Sequence, residues 1–154
     1  MTTERRAYAK GTTVGIDATL ASMRKLLLSA DADMFAYGEG PDEGGVQFRL
    51  NGLHYRFTVK RPTWADLYDR YRDPRRVDQA RAVDDEWKRR WRARLLWIKA
   101  MVEFAEVEPD AFAEAMLGSL VLPDGQRLAE WSLPQVTAAY SDGRMPPLLL
   151  GTGE

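Results

Sequence analysis

Six cationic side chains in this chain have the type and spacing that phosphate recognition calls for. Arg49, Arg56 and Lys60 fall on alternating positions of two adjacent segments, Arg61 follows directly, and Arg89 and Arg92 lie three apart in a helical pattern. Arginine offers a planar fork of donors that matches two phosphate oxygens at once and can lie flat on a nucleobase. The wider charge distribution points the same way. Residues 46–100 hold 15 of the 22 lysines and arginines against seven acids, a local excess of about +8 in a chain whose formal net charge is −1. Such clustering is the footprint of a surface that binds a polyanion, DNA or RNA above all.

Other chemistries find less support. The single histidine, His54, lies on the same polar strand face as Arg49, and with no second histidine and no cysteine it has no partner for a catalytic dyad. No serine sits in a Gly-x-Ser-x-Gly elbow, and neither a Gly-x-x-x-x-Gly-Lys phosphate loop nor a dinucleotide fingerprint is present. Asp84-x-Glu86-x-Lys88 contains the Glu-x-Lys of metal-dependent nucleases, but on a helix, positions two apart diverge. The spacing predicts instead three acid-to-base pairs four residues apart: Asp84–Lys88, Asp85–Arg89 and Glu86–Arg90. The expectation is a protein without catalytic, metal or cofactor sites.

The elements that must position the cations follow from hydrophobic period. Val46-Gln47-Phe48-Arg49-Leu50 and Leu53-His54-Tyr55-Arg56-Phe57-Thr58-Val59-Lys60 alternate strictly around Asn51-Gly52, the pair that a two-residue type I′ turn demands. With Leu50 opposite Leu53, Phe48 opposite Tyr55 and Val46 opposite Phe57, every apolar residue shares one face; a slip by one residue would expose them all. The other face then shows Gln47, Arg49, His54, Arg56, Thr58 and Lys60. Residues 34–38 predict a further strand, followed by a flexible Gly-Pro-Asp-Glu-Gly-Gly loop.

Helices are predicted on either side. Leu20, Met23, Leu27 and Ala30 recur at three- and four-residue steps from an N-terminal Asp17, and Val83, Trp87, Trp91, Leu95, Ile98, Val102 and Ala105 form one stripe over residues 78–107. Residues 63–76 read as a loop with a single helical turn. A short helix should start at Pro109-Asp110 and run through Phe112, Met116 and Leu120. A last one should run from an N-capping Ser132 to Asp142, with Pro134 in its first turn and Gly143 beyond its end. The order predicts an α+β fold: a two-layer α-β-β-β-α core with a three-stranded antiparallel sheet, a long amphipathic helix and short C-terminal helices. Residues 1–13 lack an apolar period and are expected to be flexible; residues 14–150 form one domain. Zero cysteines agree with a reducing, cytoplasmic setting, and the apolar runs are too short for a membrane span.

Trp97 lies off the long stripe, flanked by Arg90 and Arg94. With Met101 and Phe104 it forms a second, apolar seam that suits a protein interface.

The C-terminal run Leu120-Val121-Leu122-Pro123-Asp124-Gly125, then Glu130-Trp131, Pro134-Gln135, Ala139-Tyr140 and Gly143-Arg144-Met145-Pro146-Pro147-Leu148-Leu149, resembles the signature of a family of small proteins of tailed phages and prophages without an assigned function. Arg90-x-Arg92-Ala93 with Ile98-Lys99-Ala100 and Glu103, and Thr13-Val14 ahead of the first helix, extend the resemblance over most of the chain, residues 61–84 being its variable part. It implies a phage or mobile-element setting, in which such proteins handle DNA, regulate, or disable host machinery. Two expectations result. The first is a non-enzymatic nucleic-acid-binding protein using Arg49, Arg56, Lys60 and Arg61, with Arg89 and Arg92. The second is an interaction protein, a homo-oligomer subunit or an inhibitor of a host protein, docking through Trp97, Met101 and Phe104 with an acidic C-terminal third.

Overall fold

Asn51 and Gly52 both adopt positive φ, 52° and 77°, and close the hairpin as a type I′ turn. In this computed structural model, which describes residues 2–144 and their side chains from Gly15 onward, strands β2 (Glu43–Leu50) and β3 (Leu53–Lys60) pair with Leu50 opposite Leu53, Phe48 opposite Tyr55 and Val46 opposite Phe57. The expected register holds. Strand β1 (Met34–Glu39) pairs antiparallel with β2 and gives the order β1-β2-β3.

Strand β2 starts earlier than its apolar alternation suggests. Gly44 and Gly45, expected in a flexible loop, are paired on both sides, and Glu43, from the same loop, pairs with Lys60 of β3. Gly44 is required there by packing: a Cβ on it would lie 2.7 Å from Trp91 Cζ2. The sequence shows a glycine run as a loop because the indole that fills the space comes from a helix more than forty residues on.

Helix α1 (Thr2–Ser29) and helix α3 (Gln79–Val107) pack over one face of the sheet. The buried stripe of α1 starts only at Ile16 and continues through Leu20, Met23 and Leu27. Residues 2–13, read as a fraying tail, form its earlier turns, and Asp17 sits inside the helix rather than at its start. Asp78 caps α3, its side chain accepting from Arg81 N at 3.1 Å, and Trp87, Trp91, Ile98 and Val102 are buried along it. The ring of Phe48 stacks on Tyr55 at 5.2 Å, and Phe112 meets both edge-on. Offset aromatic contacts of this kind add about 1 kcal/mol each beyond burial.

Residues 64–76 are more ordered than a loop. Helix α2 (Trp64–Leu67) is held by a Thr63–Asp66 capping box, and two 3-10 turns follow it. Helix α4 (Ala111–Ala115) ends before Met116, so Leu120 is not helical as expected; it bridges to Tyr55, and Val121 N donates to His54 O at 2.8 Å. This adds a stub of backbone to the outer edge of β3. Helix α5 (Leu128–Asp142) begins a full turn before Ser132. The Glu130 carboxylate accepts from Arg127 N and from Arg127 Nε, both at 2.9 Å, and fixes this earlier start, which leaves Pro134 inside the helix and Ser132 donating to Leu128 O at 2.7 Å. Arginine is an unusual cap residue, so the Ser-x-Pro pattern was the stronger local signal. Gly143, at φ 66°, ends the helix as expected. Residues 145–150 of the expected domain, with the Pro-Pro-Leu-Leu part of the signature, lie outside the described residues. No helix among those described is long and apolar enough to cross a membrane.

Candidate nucleic-acid interface

The alternation of β2 and β3 places Gln47, Arg49, His54, Arg56, Thr58 and Lys60 on the sheet face away from α1 and α3. Each arginine there has a counter-charge. Arg49 Nε donates to Asp33 Oδ1 at 2.6 Å, and this bond holds the Asp33 carboxyl below the usual carboxylate range. Arg56 Nη2 donates to Gly125 O at 3.0 Å and stands 3.5 Å from Glu130, whose own carboxyl is held low first by the backbone amide of Arg127. A hollow of about 600 Å³ lies over this face, with Ala36, Gly38 and Gly45 in its lining together with Glu43, Glu130, Arg56 and Arg127. Its charge is mixed.

Arg61 does not join that face. It is ion-paired with Glu39, and its guanidinium carbon lies 4.7 Å from the centre of the Trp87 ring. Arg92 is exposed on α3 and makes no ion pair among the described residues. Asp85 pairs with Arg81 at 3.9 Å instead of with Arg89 as expected, while the Asp84–Lys88 and Glu86–Arg90 pairs form at 2.6 and 3.2 Å. Arg89 turns to the other side, reaching Glu86 with Nε at 2.7 Å and Nη2 at 2.9 Å.

The cations converge elsewhere, in a groove of about 480 Å³ between the edge of β3 and the flank of α3. Thr58, Val59, Lys60, Arg89, Arg90, Ala93, Arg94 and Trp97 line it, and no carboxylate does. The physical origin is the strand edge. β3 is the last strand of the sheet, so its outward carbonyls need donors, and an open edge invites pairing with another chain. Arg90 Nη1 donates to Lys60 O at 2.8 Å, and Arg94 Nη2 lies 3.5 Å from Thr58 O. Two arginines four apart on α3 thus cover the edge. Arg94 is also stacked over Phe57 and Trp97, at 5.4 and 5.0 Å, and burial, with the charge of Arg127 nearby, lowers its pKa.

One buried carboxylate organises the groove's far end. Glu86 accepts from Arg89 and Arg90 and lies 3.2 Å from Arg70; the Arg89 bond, against the opposing effect of burial, brings its pKa down to about 2. Three arginines therefore share a single negative charge there. Asp66 lies within the field of Arg90 and Lys60, but its carboxyl is engaged by the backbone and hydroxyl of Thr63. Among the described residues, no cluster of His, Asp and Glu is arranged to hold a metal ion.

The second candidate surface is divided. Trp97 is half-buried against Phe57, edge-on at 5.8 Å, and Met101 packs on the core, while Phe104 is 48% exposed. Of the six cations singled out by sequence, the groove contains Lys60 and Arg89. Sequence reasoning passed over Arg90 and Arg94 as groove residues. The available signal was their position with Trp97 on the flank next to the apolar stripe, which must overhang the sheet edge once that stripe faces the sheet. Comparison with known protein families, curated proteins and solved structures finds no match to this chain.

Proposed function

We propose that this protein binds nucleic acid without catalysing a reaction on it, and that phosphates run along the groove between β3 and α3. The observation that carries this reading is the groove's lining: four cations, an indole and a strand edge, with no carboxylate among them. Arg90 and Arg94 are already oriented by strand carbonyls, so less side-chain entropy is lost when a phosphate arrives. The phage or prophage setting implied by the C-terminal signature is compatible with a role in handling DNA or RNA.

Fluorescence anisotropy with labelled oligonucleotides and a duplex tests the reading. Binding at low salt should weaken steeply as salt rises, and four phosphate contacts predict a log–log slope of about −3. Absence of binding to every nucleic acid at low salt would reject it.

A second reading, a protein interface, is favoured by α5. None of its residues is buried, and Leu133, Val136 and Tyr140 form an outward stripe at three- and four-residue steps, with Leu133 58% and Tyr140 88% exposed. Light scattering at high protein concentration distinguishes the form in which two copies associate: a mass that stays at 17.5 kDa excludes self-association.

A further inference from the structure

Between the hairpin and α3, aromatic and basic residues lie close together: Trp64, Tyr68 and Tyr71, with Arg70 between the tyrosines and Arg72, Arg75 and Arg76 after them. The three rings form a cluster. Tyr71 stacks on Trp64 with centroids 5.6 Å apart and planes 29° from parallel, and Tyr68 meets Trp64 edge-on at 6.1 Å. Tyr68 is 49% and Tyr71 38% exposed, so ring surface faces solvent instead of completing the core. The Thr63–Asp66 capping box and buried Leu67 fix the backbone beneath them. Rings held in place with open surface are the geometry on which an unpaired base stacks.

The cluster is joined to the groove. Arg70, between the two tyrosines in sequence, reaches Glu86 at 3.2 Å, and the same carboxylate holds Arg89 and Arg90 on the groove wall. We infer that the Trp64–Tyr68–Tyr71 cluster is a base-stacking platform, and that the polyanion in the groove is single-stranded nucleic acid, its phosphates along Lys60, Arg89 and Arg90 and a base on Tyr71. This rests on the nucleic-acid reading above. A duplex cannot use the platform, because its base faces are covered by their own neighbours. A single strand offers bases and phosphates together.

The experiment compares an oligothymidylate, an oligouridylate and a duplex, each of about 16 nucleotides or base pairs, by anisotropy at low salt. Three proteins are used: the native chain, the pair Tyr68→Ala with Tyr71→Ala, and the pair Tyr68→Phe with Tyr71→Phe. Single strands should bind at least about tenfold more tightly than duplex. The alanine pair should lose about ten- to a hundredfold of single-strand affinity and leave duplex binding unchanged. The phenylalanine pair, which keeps the rings, should bind as the native protein does. A 2-aminopurine base in the oligonucleotide should be quenched by the native and phenylalanine proteins only. Tight binding of either oligomer supports the inference, and an oligodeoxyuridylate, which differs from the oligouridylate in the sugar alone, assigns the sugar. Equal binding of duplex and single strand, or an alanine pair that weakens both alike, overturns the platform and leaves the groove standing. Failure of all three ligands to bind removes the groove reading itself.

Discussion

On the outward sheet face, Arg49 meets Asp33 at 2.6 Å and Arg56 meets Glu130 at 3.5 Å, whereas in the β3–α3 groove Arg90 and Arg94 turn to strand carbonyls and Arg89 shares Glu86 with two other arginines. The residue types are alike in both regions; the anchors differ. A carboxylate of its own cancels a guanidinium's charge, as on the sheet face; in the groove one carboxylate is divided among Arg70, Arg89 and Arg90, and carbonyl dipoles orient Arg90 and Arg94 without cancelling what remains. Excess positive potential therefore survives where arginines hold a strand edge, and is spent where cross-strand neighbours and α5 supply acids. Lys60 stands at the corner between the two surfaces, opposite Glu43 in the register but lining the groove.

The comparison breaks most directly on nucleic-acid affinity. Lys60→Ala with Arg89→Ala removes two groove cations and should weaken binding at least about tenfold and lower the magnitude of the salt slope by about one to two units. Arg49→Ala with Arg56→Ala removes as many charges from the sheet face and should change affinity by less than about threefold. Anisotropy titrations at two salt concentrations measure both. The reverse order would move the interface to the sheet face.

Glu86→Gln sharpens the contrast, because stability and binding should move in opposite directions. The variant places an amide donor against guanidinium donors in a buried site, which should cost about 1–3 kcal/mol in urea unfolding. It also releases Arg70, Arg89 and Arg90 from their shared carboxylate, so oligonucleotide affinity should rise severalfold. The pH dependence has a definite sign. The folded-state pKa of Glu86, about 2, lies below its ordinary 4.5, so its contribution is fully present above about pH 4.5 and is lost as pH falls toward 2. The stability gap between the native protein and Glu86→Gln should accordingly be widest near neutrality and shrink through that window.

The hairpin and the long helix were legible from sequence because their information is local. A period of two around Asn51-Gly52 determines both register and face, and the stripe from Trp87 to Val102 determines which side of α3 is buried. The fate of each cation was not legible, since its partner is remote: Arg49 finds Asp33 across a neighbouring strand, and Arg56 finds Glu130 on a helix more than seventy residues later. Local spacing also misassigned Arg89, which takes Glu86 three residues back although Asp85 lies at the more favourable four. The desolvated carboxylate, holding several guanidinium groups, outcompeted the exposed one. Gly44 shows the same limit at the level of backbone: it looked like loop material until the indole of Trp91 was in place.

The smallest effect is expected at the other end of the sheet. Asp33→Asn removes the partner of Arg49, and both side chains are largely exposed, at 58% and 41%. Water replaces the lost contact there, so thermal unfolding at neutral pH should be unchanged within error. The freed guanidinium adds one positive charge to a face that the groove reading leaves out of the contact, so affinity should rise by less than about twofold, through the screened long-range field alone. Glu86→Gln and Asp33→Asn each delete one negative charge, which makes net charge a poor predictor of the difference between them. If Asp33→Asn strengthens binding as much as Glu86→Gln does, position relative to the groove has no influence, and a diffuse attraction to the whole basic middle of the chain would account for the binding equally well.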